Sequence, residues 1–222
     1  MSPLIIAIDG PAGSGKSTIG RMLAHVLNLV YVDTGSMYRA VALATIEAGI
    51  DPHDREAVTE LVNHVRVDLV GQADALTVLM NDRDVTEQIR GDDVTYVSSI
   101  ISIIPAVRRA MVARQREIGR RGAVLNGRDT TTVVFPDADF KFFLTAEPVE
   151  RASRRFKEEQ LALHPTTLNE TLAEITERDE RDSTRADSPL TIAEDAIVID
   201  STCLSVQEVF DAMMETITAG PK

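Results

Sequence analysis

The residues with the clearest chemical purpose lie close to the N-terminus. Gly10-Pro11-Ala12-Gly13-Ser14-Gly15-Lys16-Ser17 spaces a glycine, four residues, a second glycine, a lysine and a serine, the pattern of a loop that wraps phosphate. Glycines let the main chain turn with its N–H groups facing inward, which makes a concave anion nest. A helix beginning at the same point adds the partial positive charge of its N-terminus. Lys16 can then reach the β- and γ-phosphates of a nucleoside triphosphate. The Ser17 hydroxyl can take a Mg²⁺ ion.

Three other clusters suit a second phosphorylated ligand. Asp33-Thr34-Gly35-Ser36-Met37-Tyr38-Arg39 reads as a turn entering a helix, with Arg39 one turn in. Asn126-Gly127-Arg128-Asp129 sets a cation and a carboxylate after a short apolar run, at the strand edge where ligands sit in open α/β sheets. An Arg–Asp pair bracing a loop is the plainer account of that cluster. Arg178-Asp179-Glu180-Arg181-Asp182-Ser183-Thr184-Arg185 interleaves acids and arginines. Such a run is either a salt-bridged, solvated helix face or a set of donors for an acceptor phosphate and the charge that develops on transfer. Of the 23 basic residues only Lys16, Lys141, Lys157 and Lys222 are lysines. The arginine fork grips phosphate at two points, although a coding bias explains the skew equally well at most surface positions. His25, His53, His64 and His164 form no partner pattern. A guanine-reading Asn-Lys-x-Asp segment is absent, which argues against a GTPase, and the strand Ala123–Leu125 leads to Asn126-Gly127-Arg128-Asp129 instead of the acidic strand end of a motor ATPase.

A frame is needed that brings these distant segments to one place. Leu4–Ile8 is short, apolar and β-branched and stops at Asp9-Gly10, which predicts a strand buried on both faces of a parallel sheet. Ile19, Met22, Leu23, Val26 and Leu27 recur at helical spacing, so strand, glycine-rich turn and helix follow in order. Further strands are predicted at Val30–Val32, Ala123–Leu125, Phe140–Leu144 and Ala196–Ile199, with helical patterns between them. From Val65 to Val85 the texture changes. Val65, Val67 and Leu69, then Leu76, Val78 and Met80, alternate with polar neighbours around turns at Gly71–Asp74 and Asn81-Asp82, which predicts a small inserted antiparallel sheet. Helices are expected over Arg55–Val65, Asp92–Ile104 and Ala106–Arg121, with a break at Pro105. Val149–Ile175 is charged and helical, with a break near His164-Pro165.

Composition narrows the class. The chain has 222 residues, 44% of them hydrophobic, and a net charge of −12. That length can bury a sizeable core without disulfides or metals. A chain this acidic does not coat nucleic acid through its overall field, so phosphate binding must be local. The single Cys203 excludes a disulfide framework and a thiolate cluster within the chain. No run approaches a membrane span and no leader pattern opens the sequence. A cytoplasmic monomer acting on small molecules, not on nucleic acid or membrane, is the expectation.

Taken in order over nearly the whole chain, Ile8–Ser17, Asp33–Arg39, Gly127-Arg128-Asp129 with Thr132–Asp137, Arg178–Asp182 and Asp200-Ser201-Thr202 resemble bacterial cytidylate kinases, which are nucleoside monophosphate kinases. The Asp-Gly-Phe-Pro-Arg of adenylate kinases and the Asp-Arg-Tyr of thymidylate kinases are absent, and the inserted three-strand piece suits the cytidylate branch. The resemblance implies one P-loop kinase domain over 1–222 with a five-stranded parallel sheet flanked by helices. It also implies an insert for the monophosphate at about 34–105 and a short helical lid at about 149–180. ATP with Mg²⁺ would be the donor and CMP or dCMP the acceptor. Position by position, it implies Lys16, Arg128, Asp129 and Arg185 as catalytic, and Gly10 to Thr18 with Arg151, Arg154 and Arg155 on the donor. Thr34, Tyr38, Arg39, Arg128 and Arg185 would hold the acceptor, Ser99, Arg108 and Asp129 its base, and Arg178 and Asp182 its ribose. A carboxylate beside a guanidinium is complementary to the cytosine edge. The family usually has an aliphatic residue and then glycine after Gly-Arg-Asp, where this chain has Thr130-Thr131. If that glycine needs positive φ, Thr131 is strained, the loop shifts and Asp129 moves with it. A kinase for a sugar or shikimate-like acid would share the phosphate loop but not Arg178–Arg185, and a non-catalytic nucleotide-binding regulator would keep the loop and lose transfer.

Overall fold

The computed structural model describes residues 3–161 and 166–220, so the break expected near His164-Pro165 lies outside the described residues. Five parallel strands form the central sheet: β1 (Ile5–Asp9), β2 (Val30–Asp33), β6 (Ala123–Gly127), β7 (Phe140–Thr145) and β8 (Ile197–Asp200), in the order β2-β6-β1-β7-β8. Register runs Ile5↔Ala123 to Asp9↔Gly127 on one side of β1 and Ile6↔Phe140 to Asp9↔Phe143 on the other. Successive side chains of a strand point to opposite faces, and both faces of β1, β6 and β7 are covered, while the edge strand β8 is largely exposed. Ile6, Ile8, Val124 and Phe142 pack with α1 (Lys16–Leu27) and α8 (Val206–Ala219). Ile5, Val32, Ala123 and Leu125 pack instead with α2 (Thr34–Glu47), α4 (Asp92–Ile101) and α5 (Pro105–Gly119). Two covered faces explain why the strands read as unbroken apolar runs rather than as alternation.

The insert folds as expected, with shorter elements. After α3 (Arg55–Val62), strands β3 (Val67–Val70), β4 (Thr77–Met80) and β5 (Arg83–Asp84) form a three-stranded antiparallel sheet. Asn81 (φ 49°) and Asp82 (φ 64°) are the two residues between β4 and β5. A two-residue turn with both residues left-handed matches the twist of a hairpin, and Asn and Asp tolerate that conformation best after glycine. Pro105 is the first residue of α5, where its missing N–H costs nothing. Ile104 before it is held extended, and α4 and α5 meet at a bend of 103°. The charged segment forms α6 (Pro148–Leu161) and α7 (Leu168–Thr184), the latter opened by a Thr167–Glu170 capping box. Among the described residues no single helix is long and apolar enough to cross a membrane.

Candidate active site

The carboxyl ends of β1, β2 and β6 open into one cavity of about 2100 Å³, more than twice the span usual for a single small ligand. Its donor side is the loop after β1. Gly10 and Gly13 adopt φ of 149° and 72°. A Cβ on Gly10 would sit 2.0 Å from the Leu144 carbonyl oxygen, and one on Gly13 would sit 2.7 Å from that of Arg151. Only glycine satisfies both the twist and the clearance. Lys16, the first residue of α1, is buried and donates to the Pro11 carbonyl (2.6 Å) and to Ser14 Oγ (3.1 Å). Burial and then the nearby positive charge of Arg128 hold its pKa well below that of a free lysine. An anion in the loop is what would restore the favour for its charged form.

Residues 12 to 18 all line the cavity, as do Arg154 and Arg155 from α6. Gly10, Pro11 and Arg151 do not. Arg151 departs from the expectation that it lies over the donor with Arg154 and Arg155. It is 6% exposed and donates to the Ala146 carbonyl (2.8 Å) and the Ala12 carbonyl (3.0 Å), while pairing with Asp179. Asp179 in turn accepts from the Ala12 N–H (3.1 Å). With all its bonds to carbonyls and an acid, Arg151 braces the loop from behind. Arg154 stands at the rim, donating to Glu150 and to the Ser201 hydroxyl and carbonyl.

The acceptor-side residues also converge on the cavity. Thr34, Tyr38 and Arg39 come from the first turns of α2, Ser99 from α4, Arg108 from α5, Arg128 and Asp129 from the turn after β6, and Arg178, Asp182 and Arg185 from α7 and its end. Asp33 caps α2 through Ser36, and Ser36 Oγ accepts from Arg39 (2.8 Å). Arg108, 2% exposed, pairs with Asp129, lies 5.7 Å from the Tyr38 ring centroid and donates to the Ser102 carbonyl. Burial opposes its charge, but Tyr38 and Asp129 outweigh burial and raise its pKa. Asp182 faces three guanidiniums: Arg128 at 2.9 Å, Arg185 at 3.4 Å and Arg178 at 4.0 Å. Burial alone would raise the Asp182 pKa, and these three arginines lower it instead. Arg178 is held down to about 10, by burial and then by Arg128. Arg108, Arg128, Arg178 and Arg185 thus share two carboxylates, Asp129 and Asp182. Arg108 Nε, Arg178 Nε and Arg185 Nη2 are buried without a hydrogen-bond acceptor. Cations in excess with open donors make an anion site.

Thr131 corrects one expectation. The described residues other than glycine with positive φ are Asn28, Asn81, Asp82 and Ser188, so Thr131 carries no left-handed strain. Thr130–Val134 instead winds as one π-helical turn. Thr130 gives Asp9 its N–H (2.9 Å) and hydroxyl (2.7 Å), and Thr131 does the same at 2.7 and 2.6 Å. Asp9 is fully buried, and burial raises its pKa while the four threonine bonds oppose the rise. The loop is therefore latched to the end of β1 beside the phosphate loop. The sequence reading did not single out Asp9, Asn126, Asp179 or Ser201 as working groups. An acid closing an apolar strand was the available signal for Asp9; Asp179 was hidden in a charged helix.

The sequence model of the cytidylate kinase family matches residues 6–219. The cytidylate kinase of Solibacter usitatus (strain Ellin6076) is 48% identical over 217 residues, covering 96% of this chain and 92% of that protein. That of Caldicellulosiruptor bescii is 44% identical, covering 97% of this chain and 96% of that protein. Among solved structures, an uncharacterized protein from Eubacterium ventriosum shares the fold with a TM-score of 0.52 at 14% identity, covering 97% of this chain and 98% of that one.

Proposed function

The chain belongs to the cytidylate kinase family, whose activity is phosphorylation of CMP with ATP, and we propose that it passes the γ-phosphoryl group to CMP and to dCMP, giving CDP or dCDP and ADP in pyrimidine nucleotide metabolism. The single observation that carries the two-phosphate reading is the excess of guanidiniums facing Asp129 and Asp182 in the same cavity as Lys16. Phosphoryl transfer needs placed positive charge more than a strong base, and this cavity is rich in arginine.

The loop of residues 10 to 18 takes the triphosphate through its N–H groups, and Lys16 bears on the transferring group, whose charge grows in the transition state. Arg39, Arg128 and Arg185 clamp the acceptor phosphate, with Thr34 and Tyr38 beside them. Ser99, Arg108 and Asp129 read the base, and Arg178 and Asp182 hold the ribose. The insert at about 34–105 carries the acceptor, and the helices at about 149–180 serve as a lid through Arg154 and Arg155. Support for the base-reading role is the Arg108–Asp129 pair, a donor and an acceptor at one end of the cavity. Mg²⁺ fits the residues present: Ser17 Oγ accepts from Asn126 Nδ2 at the cavity wall, and the Oδ1 of the same amide is buried without a partner. When bound, the ion would neutralise negative charge on the triphosphate. We place this activity in the cytoplasm, in a monomer that acts on small molecules without nucleic acid or membrane.

A coupled ADP-release assay against nucleoside monophosphates, a sugar and shikimate-like acids tests the proposal. Turnover with CMP and dCMP is expected. Turnover confined to a sugar or acid, or ATP binding without turnover of any acceptor, would overturn it.

A further inference from the structure

Asn126 is the penultimate residue of β6 and lines the cavity between the two halves of the site. Its Nδ2 donates to Ser17 Oγ (3.1 Å) on the donor side, and its main-chain oxygen accepts from Thr34 Oγ1 (2.8 Å) on the acceptor side. The residue is 4% exposed, and Oδ1 is buried with no hydrogen-bond partner. A buried amide oxygen left unpaired is expensive, so a partner is expected to come with the ligand. The nearby carboxylates are engaged: Asp33, opposite Asn126 in the β2–β6 register, accepts from the Ser36 N–H and hydroxyl and pairs with Arg39. Both Asp9 oxygens are taken by the four Thr130 and Thr131 donors. Among the described residues no three His, Cys, Asp or Glu side chains are grouped to hold a metal.

We propose that Asn126 is the positioning residue of a charge-free cation site, one that takes a divalent ion only together with its nucleotide. This deepens the kinase reading and rests on it. The amide N–H occupies one lone pair of Ser17 Oγ and leaves the other for the cation. Oδ1 accepts from the water that a small, reluctantly dehydrated ion keeps around it. Phosphate-loop enzymes with an acid at this strand end put a formal negative charge beside the cation. Here the amide puts a dipole there, so the attraction that holds the ion comes from the phosphates. Outer-shell partners of this kind are worth about 10- to 100-fold in metal affinity.

The test measures metal directly. Mn²⁺ binding to the full chain is followed by electron paramagnetic resonance, alone and with ADP, for the unmodified protein, Asn126→Asp and Asn126→Ala. Calorimetry gives the ADP affinity with and without Mg²⁺, and thermal melts check folding. The near-isosteric Asn126→Asp is expected to bind Mn²⁺ without nucleotide at least about tenfold more tightly than the unmodified protein. Asn126→Ala is expected to keep its metal-free ADP affinity and lose about tenfold of the gain that Mg²⁺ brings. Equal nucleotide-free Mn²⁺ affinity in Asn126→Asp and the unmodified protein would overturn the proposal. So would an Asn126→Ala variant that melts earlier but keeps its full Mg²⁺ gain, since that is a structural role. Failure of the kinase reading would show separately, as absent CMP turnover with these binding results intact.

Discussion

Replacing Thr130 and Thr131 by valine removes two hydroxyl donors from the Asp9 carboxylate while keeping side-chain shape and both N–H bonds. A hydrogen bond to a charged acceptor contributes about 1.5–3 kcal/mol. The new methyl, in a site 0–1% exposed, returns about 0.8 kcal/mol of transfer energy. Each substitution should then cost about 1–2 kcal/mol, and the pair less than the sum if one donor partly covers for the other. Thr132→Val is the internal control, because Thr132 Oγ1 is buried without a partner; losing it should be neutral or slightly stabilising. Urea unfolding of all four variants reads the difference. The pH dependence has a sign. Burial already raises the Asp9 pKa and the hydroxyls restrain it, so the double variant's Asp9 titrates higher still. A folded-state pKa raised above the unfolded one makes stability increase as pH falls through that folded value. The double variant gains more on acidification than the parent, and the gap between them narrows as pH falls. Since Arg128 and Asp129 directly precede this turn, KM for CMP should rise more than KM for ATP. If Thr130→Val and Thr131→Val cost no more than Thr132→Val, the latch does not hold the loop.

Lys16→Ala should abolish turnover and leave the fold intact, since a methyl cannot offset charge on the transferring group; normal ADP release by a folded variant contradicts the phosphate-loop assignment. Arg39→Ala and Arg185→Ala should each weaken CMP use far more than ATP binding, and direct ATP titration beside acceptor kinetics decides it: equal losses on both sides mean scaffold. CMP should be the preferred acceptor over UMP by about tenfold to a hundredfold, because the uracil O4 would face an acceptor and leave Asp129 unpaired, at about 1–3 kcal/mol. Asp129→Asn should shrink that ratio, measured as kcat/KM for each nucleotide. It should also lower stability by up to about 3 kcal/mol, because the buried Arg108 loses its counter-charge.

Strand cores were legible because burial on both faces leaves an unbroken apolar signature, as in Ile5–Ile8. Strand ends were not. Pairing runs on through Asp9, Asp33, Asn126, Gly127, Thr145 and Asp200, and these polar residues hold their place by ladder bonds that hydrophobicity does not report. Helices erred in the other direction: Arg55–Val65 ends at Val62 and Asp92–Ile104 at Ile101, where apolar spacing persists although the helix has stopped. The phosphate loop was readable because its constraints are local. The Arg151 brace and the Asp9 latch join residues 139 and 121 apart in sequence, and only the folded chain brings them together. The Thr130-Thr131 change looked like strain because one missing glycine was weighed without the carboxylate that two hydroxyls would find.

The strand order has a consequence for the order of synthesis. β1 lies in the middle of the sheet between β6 and β7, and β2, although next in sequence, is separated from it by β6. At about 5–20 residues per second, the first strand waits about 6–24 s for its partner, 118 residues on from Ile5 to Ala123. Until then a ribosome holds an apolar segment and a complete phosphate-loop sequence with no sheet to shape either. Nascent chains halted before Ala123 should therefore bind hydrophobic-segment chaperones and fail to retain nucleotide. The capacity to grip phosphate should switch on late in translation, after β6 has entered between β1 and β2 and the Arg151 and Asp179 brace has closed behind the loop.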